Sequence, residues 1–165
     1  LCAPAGTCGG QYRTLDKCRA APDKRMGTRS TGGRLGPDVL IVEDEPAILS
    51  SLEFILRHAG WSISSVTDGE SALKAVRNSR PRALVLDVML PRKGGFEVLK
   101  ELRADAATRN LPILILTAKG QKQDLRTATE LGATSFVSKP YANAEVVSAV
   151  RALLEGRGNI GATGT

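Results

Sequence analysis

The sequence has no long apolar runs. None of those in its 165 residues approaches the length that spans a bilayer, and the longest are the size of a single β-strand. The first residues contain no apolar stretch long enough for the core of a signal peptide. We therefore expect a cytoplasmic protein that makes no membrane contact.

Cysteine and histidine are also scarce. The three cysteines are Cys2, Cys8 and Cys18, and the one histidine is His58. The number of cysteines is odd, and no histidine lies close enough to complete a zinc-binding set with familiar spacing. We interpret the cysteines as free thiols. His58 falls near the end of a predicted helix, where a partly positive imidazole is favourable, so we interpret it as structural.

The basic charge is confined to the N-terminal segment. The whole chain carries a net charge of +6, but residues 1–36 hold seven Lys/Arg against two Asp/Glu, which leaves +1 for residues 37–165. This balance argues against direct nucleic-acid binding by the folded part. Residues 1–36 have few large apolar side chains and are predicted to be disordered. Because the chain begins at Leu1, this segment also fits a non-native extension ahead of a true start at Met26.

From residue 37 onward the pattern predicts alternating strands and helices. The predicted strands are Val39–Val42, Ile63–Val66, Ala83–Leu86, Ile113–Leu116 and Ser135–Val137. The predicted helices run from Pro46 to Ala59, from Gly69 to Asn78, and over 94–105, 121–131 and 142–155. Near-continuous apolar strands in strict alternation with helices indicate an α/β domain at 37–155 with a doubly wound, five-stranded parallel sheet. The expected order is 2-1-3-4-5, as in flavodoxin-like folds, and residues 156–165 read as a flexible tail.

Polar residues occur where these strands end. Glu43 and Asp44 follow the first strand, Asp87 the third and Thr117 the fourth, while the fifth reaches Lys139. All strand ends of this kind lie on one edge of a parallel sheet, where ligands of open α/β folds bind. Clustered carboxylates repel one another unless a cation lies among them, and Mg²⁺ prefers such oxygen ligands. With a lysine and a hydroxyl to hold phosphoryl oxygens on the side away from the metal, the set suits an aspartyl phosphate.

Other interpretations fit less well. Taken singly, each of these residues is more often a turn or helix-cap residue. Here they occur together, at the ends of four strands and in the right order. A haloacid-dehalogenase-type phosphatase needs a second aspartate two residues after the nucleophile, where Met89 stands. A nucleotide-binding site would need a Gly-rich loop after the first strand. The sequence has none there, and Glu43, Asp44 and Glu45 at that position would repel phosphates.

The segment 37–155 resembles the receiver domain of two-component response regulators, of the CheY-like class. The matching stretches are Val39–Glu45, Leu84–Pro91 with Gly94 and Gly95, Ile115–Ala118 and Ser138–Pro140. The resemblance implies that Asp87 is the phosphoacceptor and that Lys139 precedes a cis proline. It implies a Mg²⁺ site made of Glu43, Asp44, Asp87 and the backbone carbonyl of Met89. It also implies that Thr117 is the switch hydroxyl, Lys139 the phosphate-contacting base, and Phe136 the aromatic residue that turns inward on activation.

The resemblance further implies a signalling domain rather than an ordinary enzyme. A sensor histidine kinase or a histidine phosphotransfer protein would donate the phosphoryl group, and the face of helix 4, strand 5 and helix 5 would carry the signal. Autodephosphorylation is expected to be slow, because Met89 and Lys119 offer no side chain suited to orienting water. The output stays open between a stand-alone receiver and part of a longer DNA-binding transcription factor or signalling enzyme. Further expected partners are a downstream protein, a missing output domain of the same chain, or a second copy after phosphorylation. A degenerate receiver that only binds partners is a third class, which the intact set of site residues argues against.

Overall fold

The computed structural model describes residues 36–118 and 122–156. Nearly all of the predicted N-terminal extension and tail, and also Lys119, lie outside the described residues. The predicted domain limits at residues 37 and 155 therefore stay predictions.

Five strands alternate with five helices along the described residues. The strands are β1 (Val39–Val42), β2 (Ile63–Val66), β3 (Ala83–Asp87), β4 (Ile113–Ala118) and β5 (Ser135–Lys139). The helices are α1 (Pro46–His58), α2 (Gly69–Ser79), α3 (Gly95–Ala104), α4 (Lys122–Glu130) and α5 (Asn143–Leu154). All neighbouring strands pair in parallel, in the order β2-β1-β3-β4-β5. The predicted fold class and strand order are confirmed.

The last three strands are longer than the sequence pattern predicts. β3 includes Asp87, β4 continues through Thr117 to Ala118, and β5 ends at Lys139. The apolar runs end earlier, but the polar residues beyond them still have neighbours to pair with: Asp87 lies opposite Leu116, and Ala118 opposite Lys139. Asp87, Thr117 and Lys139 therefore lie within strands, where the pairing of the sheet holds their backbone in place.

Two apolar layers enclose the sheet. Alternate strand residues such as Leu40, Leu84 and Ile115 pack with α2 and α3 on one face. The intervening residues, such as Ile41 and Val85, pack with α1 and α5 on the other face. Because the sheet is covered on both faces, its three inner strands β1, β3 and β4 are apolar up to their carboxyl ends. In these inner strands, polar side chains occur only at the carboxyl end.

The start of α1 clarifies the role of the acidic residues before it. Pro46 occupies the first turn, where its missing N–H costs nothing, and the N-cap residue Glu45 makes no side-chain cap hydrogen bond. The Glu43 carboxylate accepts from the N–H of Glu45 at 3.3 Å, but that residue precedes the helix. The acidic pair thus does not serve as the helix cap.

No helix in the described part of the chain combines the length and apolar character needed to cross a bilayer.

A small polar cluster joins the segments that precede β1, β2 and β3, at the amino ends of these strands. The Asp38 carboxylate accepts hydrogen bonds from the N–H (3.0 Å) and hydroxyl (2.8 Å) of Ser62 and from the guanidinium of Arg82 (2.9 Å). Burial acts to raise the pKa of Asp38, but the Ser62 and Arg82 contacts outweigh it and hold the pKa below 3.8.

Asp38→Asn is expected to lower the free energy of unfolding at pH 7 by about 0.5–1 kcal/mol, because a partly exposed ion pair is lost. The depressed pKa means that the carboxylate stabilises the fold above about pH 4 and loses this effect as the pH falls through the folded-state pKa. Urea unfolding between pH 3 and pH 7 tests this, with the exposed Glu130→Gln as control. A stability gap that stays constant down to pH 3 would contradict the assignment.

Candidate functional site

The structure brings the predicted polar residues to one edge of the sheet. Glu43 and Asp44 directly follow β1, Asp87 ends β3, Thr117 lies near the end of β4 and Lys139 ends β5. β1 and β4 flank β3 on its two sides, so Asp87 stands at the centre of the group. The winding direction reverses between β1 and β3, which makes this edge the topological switch point of the fold.

Three carboxylates form the acidic part of the site. One oxygen from each of Glu43, Asp44 and Asp87 lies within 4.8 Å of the others. The side chains of Glu43 and Asp87 are buried, whereas Asp44 is exposed and opens the cluster to solvent. An all-oxygen donor set with one solvent-facing side suits Mg²⁺, which retains several of its waters. The residues present therefore fit the cation that the sequence predicts.

Lys139 takes a more central position than the sequence suggests. Its Nζ lies 2.9 Å from Glu43 Oε2 and 2.9 Å from Asp87 Oδ2, so the ammonium group bridges the two buried carboxylates. Burial acts to lower the pKa of Lys139, but the hydrogen bonds and charges of Glu43 and Asp87 together raise it above 10.5. Lys139 is thus a cation among the proposed Mg²⁺ ligands, a contact that the sequence does not indicate. Its predicted role toward a phosphoryl group stays a prediction. The bond between Lys139 and Pro140 is cis, as predicted.

Burial and the two neighbouring charged groups all act on the pKa of Glu43. Removal from water raises the pKa of its carboxyl above 4.5, and the negative charge of Asp87 raises it further, while Lys139 acts to lower it. With all groups charged, three carboxylates and one ammonium group leave two net negative charges in the cluster. One divalent cation would neutralise them.

Thr117 reaches the same edge but has a partner that the sequence does not indicate. Its buried hydroxyl donates to Asp124 Oδ2 at 3.3 Å, in the first turn of α4. An acidic residue near a helix N-terminus usually serves the helix itself, so the sequence offers no reason to connect Asp124 with the site. Phe136 is partly buried and packs against the core layer on the α2–α3 side of the sheet.

The loop between β3 and α3 folds back onto the end of β3. The N–H of Met89 donates to Asp87 Oδ1 at 3.3 Å, while its side chain is 70% exposed. The N–H of Gly95 donates to the carbonyl of Val88 at 3.0 Å, which closes the loop. A Cβ on Gly95 would stand 2.1 Å from the carbonyl oxygen of Asp87, so glycine is required at this close approach.

A largely apolar groove of about 560 Å³ lies beside Lys139. The start of α1 and the segment after β5 line it, with Ile48 and Tyr141 among its residues. Burial is the main reason that the pKa of Tyr141 lies above 10.0. The groove therefore borders the site on the side of Lys139.

Comparisons with known proteins agree with this site and fold. The response regulator receiver domain family matches residues 39–151. The probable transcriptional regulatory protein TcrX of Mycobacterium tuberculosis is 42% identical over 120 residues, which cover 73% of this chain and 50% of that protein. The alkaline phosphatase synthesis transcriptional regulatory protein PhoP of Bacillus subtilis is 40% identical over 116 residues, covering 70% of this chain and 48% of that protein.

Solved structures show the same likeness. A putative response regulator from Chloroflexus aurantiacus is 35% identical with a TM-score of 0.70, and the match covers 73% of this chain and 98% of that one. The receiver domain of the sensor histidine kinase PA1611 from Pseudomonas aeruginosa, solved with magnesium coordinated in its active-site cleft, is 29% identical with a TM-score of 0.67, at the same coverages.

The chain belongs to the response regulator receiver family, a family of signalling domains. The family predicted from the sequence is confirmed. The chain spans about half the length of the curated relatives that it matches.

Proposed function

We propose that this chain is a phosphorylation-controlled switch in which Asp87 accepts a phosphoryl group from a phosphohistidine. The donor would be a sensor histidine kinase or a histidine phosphotransfer protein. The observation that carries the proposal is the central, buried carboxylate of Asp87, hydrogen-bonded by the Lys139 ammonium group and flanked by Glu43 and Asp44. A carboxylate in this setting can act as a nucleophile while its neighbours manage the transferred charge.

In the transfer step, an Asp87 carboxylate oxygen forms a bond to phosphorus as the bond from phosphorus to the donor's imidazole nitrogen breaks. The Lys139 ammonium, already 2.9 Å from Asp87 Oδ2, is placed to follow the charge onto the phosphoryl oxygens. Glu43, Asp44, Asp87 and the backbone carbonyl of Met89 would hold Mg²⁺. When bound, this cation neutralises charge on the carboxylates and on the transferring group.

The output step starts at Thr117. To reach a phosphoryl oxygen, its hydroxyl must leave Asp124, which frees the first turn of α4 from this contact. Phe136 on the neighbouring strand would then turn inward, and the α4–β5–α5 face would change its shape. Through a two-state change of this kind, the added phosphoryl charge at the site would alter a surface that partner proteins can bind.

A role as the receiver of a longer transcription factor is the second candidate. The matched relatives named as transcriptional regulatory proteins are about twice as long as the matched segment. A stand-alone receiver and self-association after phosphorylation also remain within the proposal, as does a cytoplasmic location. We assign no nucleic-acid contact to the receiver segment itself, because its charge is nearly balanced.

Incubation with acetyl phosphate and Mg²⁺ is expected to add one phosphoryl group to the chain, and EDTA is expected to prevent it. Intact-mass spectrometry measures the addition, and hydroxylamine release identifies an acyl phosphate. After the donor is removed, the mass should decay slowly, because Met89 presents an exposed apolar side chain beside Asp87 and none that orients water. If the folded chain gains no mass, the proposed phosphoryl acceptance is contradicted. If most of the label is lost within seconds, the expected slow autodephosphorylation is contradicted.

A further inference from the structure

The β3–α3 loop, which carries Met89, contacts the N-terminus of α2 through Arg92. Arg92 Nη2 lies 3.3 Å from Asp68 Oδ2, and the side chain of Asp68 is 7% exposed. Asp68 is also the N-cap of α2, where it accepts from the N–H (2.9 Å) and the hydroxyl (2.8 Å) of Ser71. The anchor for Arg92 is therefore a buried carboxylate that its own helix already holds in place.

The backbone adds a second contact between the same two segments. A Cβ on Gly69, the first residue of α2, would stand 2.4 Å from the carbonyl oxygen of Lys93. Glycine allows the loop to lie directly against the helix at this point. The loop is thus fixed at two ends: by the bond from Gly95 to Val88 near β3, and by Arg92 and Lys93 against α2.

Arg92 has a left-handed backbone conformation, with φ of +66°. This region is unfavourable for residues with a Cβ, and glycine adopts it without cost. The ion pair to Asp68 can offset part of the cost of this conformation. The conformation and the ion pair occur at the same residue, which favours a specific role for this side chain over that of an ordinary surface arginine.

We propose that Arg92 is a positioning residue that, through Asp68, holds the β3–α3 loop in the conformation that binds the divalent cation. The inference rests on the proposed function, because the backbone carbonyl of Met89 in this loop is one of the proposed Mg²⁺ ligands. A loop that samples other conformations binds more weakly in proportion to the time it spends in them. The side chain of Arg92 is 66% exposed, and it is not one of the proposed Mg²⁺ ligands.

Calorimetric titration of Mg²⁺ into the unphosphorylated chain tests this role. Arg92→Ala and Asp68→Asn are each expected to weaken Mg²⁺ binding roughly three- to fivefold, the range that a partly exposed ion pair can supply. Asparagine keeps the N-cap of α2. The double variant should bind no more weakly than either single variant, and Arg92→Lys should recover most of the affinity. Arg77→Ala, which removes a similarly exposed arginine paired with Asp105 at 3.6 Å, is the matched control and should bind normally.

Arg92→Gly removes both the ion pair and the unfavourable backbone conformation, whereas Arg92→Ala removes only the ion pair, so the comparison of the two variants separates these effects. Weak binding in this variant supports the ion pair, and wild-type affinity overturns it. In acetyl phosphate labelling, Arg92→Ala should need more Mg²⁺ for half-maximal rate but reach the wild-type rate at saturation. Wild-type Mg²⁺ affinity in Arg92→Ala, or additive losses in the double variant, would overturn the inference alone. Absence of Mg²⁺ binding by the wild-type chain would overturn the proposed function as well.

Discussion

Asp87→Asn is expected to lose phosphoryl labelling completely, both from acetyl phosphate and from a phosphohistidine donor. The amide has the size of the carboxylate and can still accept a hydrogen bond from Lys139, but it is not a nucleophile. The variant should fold at least as stably as the wild-type chain, because a negative charge is removed from beside the buried Glu43. Intact mass after incubation with donor and Mg²⁺ measures the labelling, and urea unfolding measures the stability.

Asp105→Asn is the control for this experiment. It also removes one aspartate charge, but from the end of α3 rather than from the site edge of the sheet. We expect it to be labelled at the wild-type rate. Persistence of an acyl phosphate in Asp87→Asn would place the acceptor elsewhere and refute the assignment of Asp87.

Lys139→Met is expected to lower the free energy of unfolding by more than either Asp38→Asn or Asp87→Asn. The ammonium group bridges Glu43 and Asp87, and without it two buried carboxylates face each other with no positive charge between them. Breaking a fully buried pair typically costs about 3–5 kcal/mol, and because Lys139 is 24% exposed we expect about 2 kcal/mol in EDTA. Added Mg²⁺ should recover part of this loss, because the cation replaces the missing charge and binds the folded state.

Lys93→Met offers a closely matched control. The Lys93 side chain is 26% exposed, nearly the same as Lys139, and it forms an ion pair with the more exposed carboxylate of Glu101. We expect this variant to lose less than about 1 kcal/mol and to show no extra gain from Mg²⁺. Equal losses in the two lysine variants, measured by urea unfolding with and without Mg²⁺, would contradict a central electrostatic role for Lys139.

The sequence predicts the sheet well because its signals are local. The apolar runs predict β1 and β2 with their observed limits, and Pro46 and Gly69 mark the starts of α1 and α2. The gathering of Glu43, Asp87, Thr117 and Lys139 also follows from the sequence, because a parallel sheet brings its strand ends to one edge.

The side-chain contacts that the sequence does not predict depend on how the fold places separate segments. The bridge from Lys139 to Glu43 joins residues 96 positions apart, and the contact from Arg92 to Asp68 joins residues 24 apart. The periodicity of the sequence does not predict such pairs, because each depends on how the fold places two distant segments beside each other. The hydrogen bond from Thr117 to Asp124 spans only seven residues, but it depends on how α4 follows β4. Side-chain pairing between separate segments is therefore the part of the site that the sequence does not predict.

The placement of Lys139 on the last strand has a consequence for protein synthesis. A ribosome that has released the chain only as far as α4 has already delivered Glu43, Asp87 and Thr117, but not the strand that carries the lysine. β5 pairs along the edge of β4 and completes the sheet, so the lysine joins the carboxylates only when this final strand docks. A nascent or C-terminally truncated chain without β5 therefore lacks the ammonium group that the proposed phosphoryl transfer uses, and we expect the site to be complete only after this strand has docked.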